Sequence, residues 1–159
     1  MQNAKELVSA YMDEVWVNRN TEALDKYISA ERFIQHNPHL DNGLEALQGF
    51  LPHLFNNMMP EGTWEVKRII AEQDMVVVHS LAKPAPAALG MAVVDIFRTE
   101  NGKIVEHWDV TSDVPEKTAS GKGFQDIGTT LSSHPNRELS KIVLFYTDGT
   151  FETFIEKKP

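Results

Sequence analysis

The chain has 159 residues, of which 42% are hydrophobic and 24% charged, so it can bury a core and is neither disordered nor fibrous. Its formal net charge of −8 argues against general nucleic-acid binding, because an acidic chain repels phosphate backbones. The absence of cysteine excludes disulfides, thiolate catalysis and cysteine-based zinc sites. Since no apolar run approaches the ~20 residues of a membrane span and the N-terminus lacks a signal-peptide core, we expect a soluble cytoplasmic protein.

The first part of the chain has the pattern of three helices. A capping box at Asn3 begins an amphipathic helix. Thr21 is a candidate N-cap of a short second helix, and a third pattern begins after residues 41–43. Pro52 lies inside that third pattern, so we expect a kink or break near residues 49–51.

The period of the pattern then changes to two, which is typical of strands. Segments 64–70 and 74–81 alternate or are rich in β-branched residues, and a hairpin follows over 91–110. Helices first and an antiparallel meander afterwards predict an α+β domain, with three N-terminal helices packed on one face of a curved antiparallel sheet. A curved sheet closed by helices is cone-shaped and encloses a pocket.

One face of this hairpin carries three titratable residues, Asp95, His107 and Asp109. We predict a three-residue loop with Gly102 in the left-handed conformation, which pairs Asp95 with His107. Because side chains alternate along a strand, the three titratable groups then share their face with Phe97. A two-residue Asn-Gly loop would shift the pairing by one and put Asp95 and His107 on opposite faces.

Residues 118–159 form a C-terminal extension that follows the main domain, residues 1–117. The pattern around Asp148-Gly149 predicts a second hairpin over 141–156 with apolar residues on both faces. We expect this hairpin to belong to the same unit. It would extend the sheet, cover the pocket, exchange with a partner subunit, or dock loosely.

Two segments carry a resemblance to a known family: Phe33-Ile-Gln-His-Asn-Pro38, and the hairpin from Asp95-Ile-Phe-Arg to Asn-Gly-Lys-Ile-Val-Glu-His-Trp-Asp109. With the order of helices and strands, they resemble the SnoaL-like polyketide cyclase family of the nuclear transport factor 2-like superfamily, over about residues 3–115. The resemblance implies a cone-shaped α+β fold, a deep pocket between the helices and the sheet, and a homodimer formed through the sheet.

The resemblance also implies roles for individual residues. Asp109 stands where the cyclases carry their acid/base on the last core strand. Asp95 stands near the acid that holds the oxyanion in the related steroid isomerases. Those isomerases use an aspartate before a proline as the base, whereas this chain has Asn37 before Pro38, and an amide cannot abstract a proton.

These observations predict cofactor-free acid/base catalysis, an aldol-type cyclisation or isomerisation, on a small apolar carbonyl-bearing compound. Asp109 and His107 would be the acid/base pair, and Asp95 and His36 would orient or polarise the substrate. Two alternatives stay open: Asp95 and His107 form only a buried ion pair, or the domain is a non-catalytic dimeric module for ligand binding or interaction.

The predicted substrate-binding residues combine polar side chains with apolar ones from the helices and the hairpin: His36, His79, Asn37, Tyr11, Trp16, Phe50, Leu54, Met58 and Phe97. The aromatic stripes also fit an ordinary core, and strand alternation does not decide which face of the sheet holds His79. A metal site with two histidines and one carboxylate could in principle form from His36, His79, His107 and Asp95. However, these residues lie on separate elements, and no histidine pair has the local spacing of a metal motif. We therefore predict neither a metal nor a cofactor.

Overall fold

The computed structural model describes residues 3–116 and the backbone of two further strands, 141–145 and 151–155. The chain divides into two compact units, Met1–Pro115 and Glu116–Pro159. Within the described residues, no helix is long and apolar enough to cross a membrane.

Three α-helices precede the four long strands of the main sheet, and they are α1 (Ala4–Tyr11), α2 (Leu24–Tyr27) and α3 (Leu44–His53). The predicted capping box is confirmed: the Asn3 side chain accepts from the N–H of Glu6, and the Glu6 carboxylate accepts from the N–H of Asn3. Helix α1 continues in wider π-helical turns over Met12–Val17, and a short 3₁₀ turn, Thr21–Ala23, leads into α2.

Helix α3 does not break where the sequence predicts a break. It runs without interruption through Pro52, and wider π-helical turns follow over Leu54–Met58. The expectation of a break near residues 49–51 is therefore wrong, and the alternative of a kink there stays a prediction. Proline removes only one helical hydrogen bond, the one to the carbonyl of Gln48, and the irregular turns come after the proline rather than before it.

The main sheet has five strands: β1 (Ile34–Gln35), β2 (Thr63–Glu72), β3 (Met75–Lys83), β4 (Met91–Glu100) and β5 (Lys103–Asp113). Their order is β1-β5-β4-β3-β2. The predicted α+β class is confirmed, but the sheet is mixed rather than antiparallel, because β1 runs parallel to β5 while the other pairs are antiparallel. The sheet is curved and does not close on itself.

The turn between β4 and β5 has two residues, not the predicted three. Glu100 pairs with Lys103, and the turn residues Asn101 and Gly102 have φ angles of 52° and 76°. Two successive positive φ angles define a type I′ turn, whose twist matches that of the flanking strands. Asn and Gly are the residues that adopt this conformation at least cost.

A β-bulge then corrects the register. Arg98 pairs with Glu106 and the next pair is Thr99 with Ile104, so Val105 is the extra residue. As a result Asp95 lies opposite Asp109, and the predicted pairing of Asp95 with His107 is wrong. The predicted shared face survives, because the bulge restores the alternation that a two-residue turn alone would reverse.

The core lies between the helices and the inner face of the sheet, which we define as the face carrying Val76, Val78, Phe97 and His107. Its fully buried aliphatic side chains come from both layers and include Val8, Val15, Leu24, Leu51, Val76, Val78 and Ile104. The helical layer therefore covers the face on which Asp95 and His107 lie, and desolvates them.

The second unit contains the antiparallel strands β6 (Lys141–Phe145) and β7 (Phe151–Ile155), with Lys141 opposite Ile155. This pairing agrees with the predicted hairpin over 141–156, whose Asp148-Gly149 turn lies outside the described residues. The predicted boundary between residues 117 and 118, and the membership of the hairpin in one unit with the main domain, stay predictions.

Candidate functional site

The inner face of the β4–β5 hairpin holds a compact polar cluster formed by Asp95, His107 and Asp109. One ligand atom from each of the three side chains lies within 4.8 Å of the others. His107 Nε2 is 3.0 Å from Asp95 Oδ1, a diagonal contact across the two strands. Asp95 and His107 are buried, and Asp109 is half-buried.

Strand β1 brings two amides to this cluster. Gln35 lies opposite His107 in the parallel pairing, and its Oε1 is 2.9 Å from His107 Nδ1. Asn37 donates from Nδ2 to Asp109 Oδ2 at 2.6 Å. The N–H of His39 donates to Asn37 Oδ1, so the orientation of the Asn37 amide is defined by a backbone group that can only donate.

Burial is the main influence on the ionisation of Asp95. It raises the pKa of Asp95, an effect opposed by His107 and reinforced by the nearby charge of Asp109. Asp95 Oδ2 is buried and has no hydrogen-bond partner among the described residues. A buried carboxylate with one unbonded oxygen is costly as an anion, so this site favours forms that keep a proton close to Asp95.

Aromatic rings cover the cluster on its apolar side. Phe97 stacks on the His107 ring with centroids 4.8 Å apart, and Tyr11 meets Phe97 edge-on at 5.7 Å. Burial raises the pKa of the Tyr11 hydroxyl; the Trp16 indole opposes this shift and the charge of Asp95 adds to it. The hydroxyl therefore stays protonated beside the cluster.

The structure does not bring His36 or His79 to this cluster. His36 follows Gln35 and points to the opposite, outer face, where its Nε2 is 2.9 Å from Glu106 Oε1 and its ring stacks on Trp108. His79 also lies on the outer face, 2.8 Å from an Arg68 nitrogen. Burial and then the charges of Arg68 and Lys67 lower the pKa of His79.

The predicted apolar lining is mostly part of the core. Four of its members are buried in the core cluster, and they are Tyr11, Trp16, Leu54 and Phe97. Phe50 is half-buried and packs against that cluster. Met58 has 57% of its surface exposed, and the buried methionine of this segment is its neighbour Met59. The place of Met58 in a substrate pocket stays a prediction.

A cavity of about 280 Å³ lies between the first helix and β2. Its lining contains none of the predicted site residues, and consists of Ser9, Asp13, Val17, Trp64, Glu65, Val66 and Ile69. The pocket expected over the Asp95 cluster stays a prediction.

The three donors of the cluster are of types that bind divalent metals. Both nitrogens of His107 are already engaged, however, one by Gln35 and the other by Asp95. A metal bound here would have to replace the contact between His107 and Asp95.

Sequence reasoning missed Gln35. The signal was present in the segment Phe33–Pro38, since Gln35 and Asn37 alternate with His36 and therefore share a face if the segment is extended. What the segment alone does not reveal is its pairing with β5, a contact between residues 72 positions apart in the chain.

Comparisons with known proteins agree with this fold. A SnoaL-like polyketide cyclase from Agrobacterium tumefaciens, known from its crystal structure, is 14% identical in sequence to this chain. The alignment covers 70% of this chain and 93% of the cyclase, and the two structures superpose with a TM-score of 0.59. An LEH-like epoxide hydrolase from M. tuberculosis is 18% identical in sequence. Its alignment covers 69% of this chain and 82% of the hydrolase, with a TM-score of 0.53. At these identities the likeness shows the fold alone. Curated protein sequences give no match.

A family model described as the SnoaL-like domain matches residues 8–107, which is more than half of the chain and includes β1 and the β4–β5 hairpin up to His107. The chain therefore belongs to the SnoaL-like family.

Proposed function

We propose that this protein is an enzyme that moves a proton on a small, apolar, carbonyl-bearing compound without a cofactor, with Asp109 as its acid/base. The observation that carries this proposal is the half-buried Asp109 carboxylate beside a buried Asp95–His107 pair. The fold shared with a structure named as a polyketide cyclase supports the same class of chemistry.

The contacts favour Asp109 over His107 as the group that touches substrate. Both ring nitrogens of His107 are engaged and the ring is stacked on Phe97, whereas Asp109 Oδ1 makes no hydrogen bond to the described residues. Asn37 holds the other oxygen of Asp109 and so orients the carboxylate. In this proposal His107 supports the acid/base electrostatically instead of sharing the proton transfer with it.

The proposed reaction is an intramolecular aldol closure. The Asp109 carboxylate takes a proton from a carbon next to a carbonyl, and the electrons of that C–H bond form the enolate. The enolate carbon attacks a second carbonyl of the same molecule, and the resulting alkoxide recovers the proton from Asp109. Atoms and charges balance without any oxidant, reductant or metal.

A second candidate is a binding module without catalysis. It is favoured by the closure of the Gln35–His107–Asp95 network, in which each contact is made within the protein. Such a network can also serve only as a structural polar core, here with Gln35 Nε2 and Asp95 Oδ2 left without partners among the described residues. This candidate keeps Asp109 as a ligand-binding group and predicts no turnover.

The experiment is hydrogen–deuterium exchange at the α-carbon of a panel of diketones in D₂O, followed by NMR. Because one structural relative is named as an epoxide hydrolase, hydrolysis of epoxides to diols is followed in a separate assay. Asp109→Asn should lower exchange or turnover by roughly 10²–10⁴-fold, the usual contribution of general acid–base catalysis. Asp113→Asn, at the exposed end of the same strand, is the matched control. Activity of Asp109→Asn equal to that of the control would refute the role of Asp109.

We also propose that the protein is a homodimer formed through the outer face of the sheet. An apolar row runs across four strands in register, and its members are Ile70, Val77, Ile96 and Trp108. Light scattering of the full chain and of Val77→Lys tests this: a dimer should become a monomer in the variant, and a monomeric native chain would rule the proposal out.

A further inference from the structure

We infer that Gln35 is a positioning residue: it holds His107 with a proton on Nδ1, so that Asp95 and His107 share one further proton between Nε2 and Oδ1. This inference deepens the proposed function and rests on it only for its consequence in catalysis. The state of the ring can be tested whether or not the protein is an enzyme.

The first step is the orientation of the Gln35 amide. The backbone N–H of Asn37 lies 3.1 Å from one terminal atom of the Gln35 side chain, assigned as Oε1. A backbone N–H can only donate, so the atom it meets must be the oxygen and not the nitrogen of the amide. The assignment of Oε1 therefore follows from the contact itself.

The second step is the tautomer of His107. The same Gln35 oxygen lies 2.9 Å from His107 Nδ1, and an amide oxygen can only accept. Nδ1 must therefore carry a proton. In a neutral imidazole only one nitrogen is protonated, so a neutral ring in this site has a bare Nε2.

The third step concerns the contact between Nε2 and Asp95. These atoms are 3.0 Å apart and buried. A bare nitrogen and a carboxylate oxygen would repel each other at this distance, so a proton lies between them. The pair is an imidazolium with a carboxylate, or a neutral ring with a carboxylic acid; in both forms it keeps one proton and is neutral overall.

The surroundings favour retention of this proton. Loss of the proton would leave a buried negative charge near that of Asp109 and beside the Phe97 ring, where Asp95 Oδ2 already lacks a partner among the described residues. The two aspartates thus have different tasks. Asp95 stays in a proton-holding pair, and Asp109 is left as the group that can act as a base.

The test is the protonation of the two His107 ring nitrogens, read by ¹⁵N NMR of the full chain, with His107→Gln used to assign the signals. In the native protein Nδ1 should be protonated. In Gln35→Leu the acceptor for Nδ1–H is gone, so Nδ1 should lose its proton and Nε2 should donate to Asp95 Oδ1, while a proton on Asp95 Oδ2 keeps the pair neutral. Gln35→Glu keeps an oxygen that can accept from both the Asn37 N–H and His107 Nδ1–H, so it should preserve the Nδ1 proton.

The native spectrum alone can overturn the inference, so it stays falsifiable if Gln35→Leu does not fold. A native ring with a bare Nδ1 refutes it, as does an unchanged tautomer in a folded Gln35→Leu. If the proposed function holds, kcat of Gln35→Leu should fall on the order of 10²-fold with little change in KM, and Gln35→Glu should restore it. A tautomer change without any activity to lose would refute the proposed function and leave the inference standing.

Discussion

The two faces of the sheet at β5 carry the same kinds of side chain in opposite environments. On the inner face His107 meets Asp95 at 3.0 Å, and on the outer face His36 meets Glu106 at 2.9 Å. The inner side chains are 9% and 5% exposed, whereas the outer ones are 39% and 16% exposed. Although the two contact distances are similar, loss of the inner contact should cost more stability than loss of the outer one, because burial removes water as an alternative partner.

The carboxylates on the two faces respond in opposite directions. Burial raises the pKa of Asp95 above its ordinary range, and His107 only partly opposes this. Burial also acts to raise the pKa of Glu106, but hydrogen bonds from His36 and Arg98 outweigh it and hold that pKa below its ordinary range. The Asp95 carboxyl on the inner face thus tends to keep its proton, whereas the Glu106 carboxyl on the outer face tends to stay ionised.

The largest expected effect is the loss of the inner histidine. His107→Leu leaves Asp95 buried without a partner, so we expect the free energy of unfolding to fall by about 3–5 kcal/mol. His36→Leu is the matched control on the outer face and should cost less than about 1 kcal/mol. Urea unfolding of both variants measures the difference, and equal losses would mean that burial does not separate the two faces.

The second prediction uses pH to separate the two carboxylates. A raised folded-state pKa means that folding takes up a proton, so the contribution of Asp95 to stability declines as pH rises above its unfolded value of about 3.8. Asp95→Asn lacks this decline, and its amide can donate to a bare His107 Nε2. The variant should therefore gain stability relative to the native protein as pH rises from 4 upward.

Glu106→Gln should show the opposite dependence. A lowered folded-state pKa contributes stability that is present above the unfolded value of about 4.5 and is lost as pH falls through the folded pKa. This variant should be less stable than the native protein at neutral pH, and the difference should shrink in acid. Urea unfolding at several pH values measures both curves, and curves of the same sign would contradict the assignment of the two faces.

The contrast between the faces also explains what can be predicted from sequence. Alternation is local, so the shared face of Asp95, Phe97 and His107 is predictable from the strand pattern. Register is not local: it depends on a two-residue turn and on the bulge at Val105, which compensate each other. The bulge is stable where it occurs because Val105 is buried like its neighbour Ile104, and apolar neighbours of this kind do not reveal a bulge in the sequence.

The long-range pairing of β1 with β5 is the second feature that the sequence pattern does not predict. Strand β1 has two residues, and its position beside β5 decides that Gln35 meets His107 while His36 meets Glu106. The sequence predicts that His36 and Asn37 bind substrate, but it does not decide which side chains of this segment turn inward. A shift of one residue in this short strand would exchange the two faces.

The smallest expected effect is the coupling between His36 and Glu106. A double-mutant cycle with His36→Ala and Glu106→Gln should give about 0.2–1 kcal/mol, because both partners keep contact with solvent and Glu106 retains Arg98 as a second partner at 2.7 Å. The coupling should weaken further in 1 M salt, where charges are screened within ~3 Å. A parallel cycle on Asp95 and His107 should give a larger value that salt hardly changes, since water and ions do not reach that pair. If the outer coupling matched the inner one in size and salt response, the difference in exposure would not be the property that distinguishes the two faces.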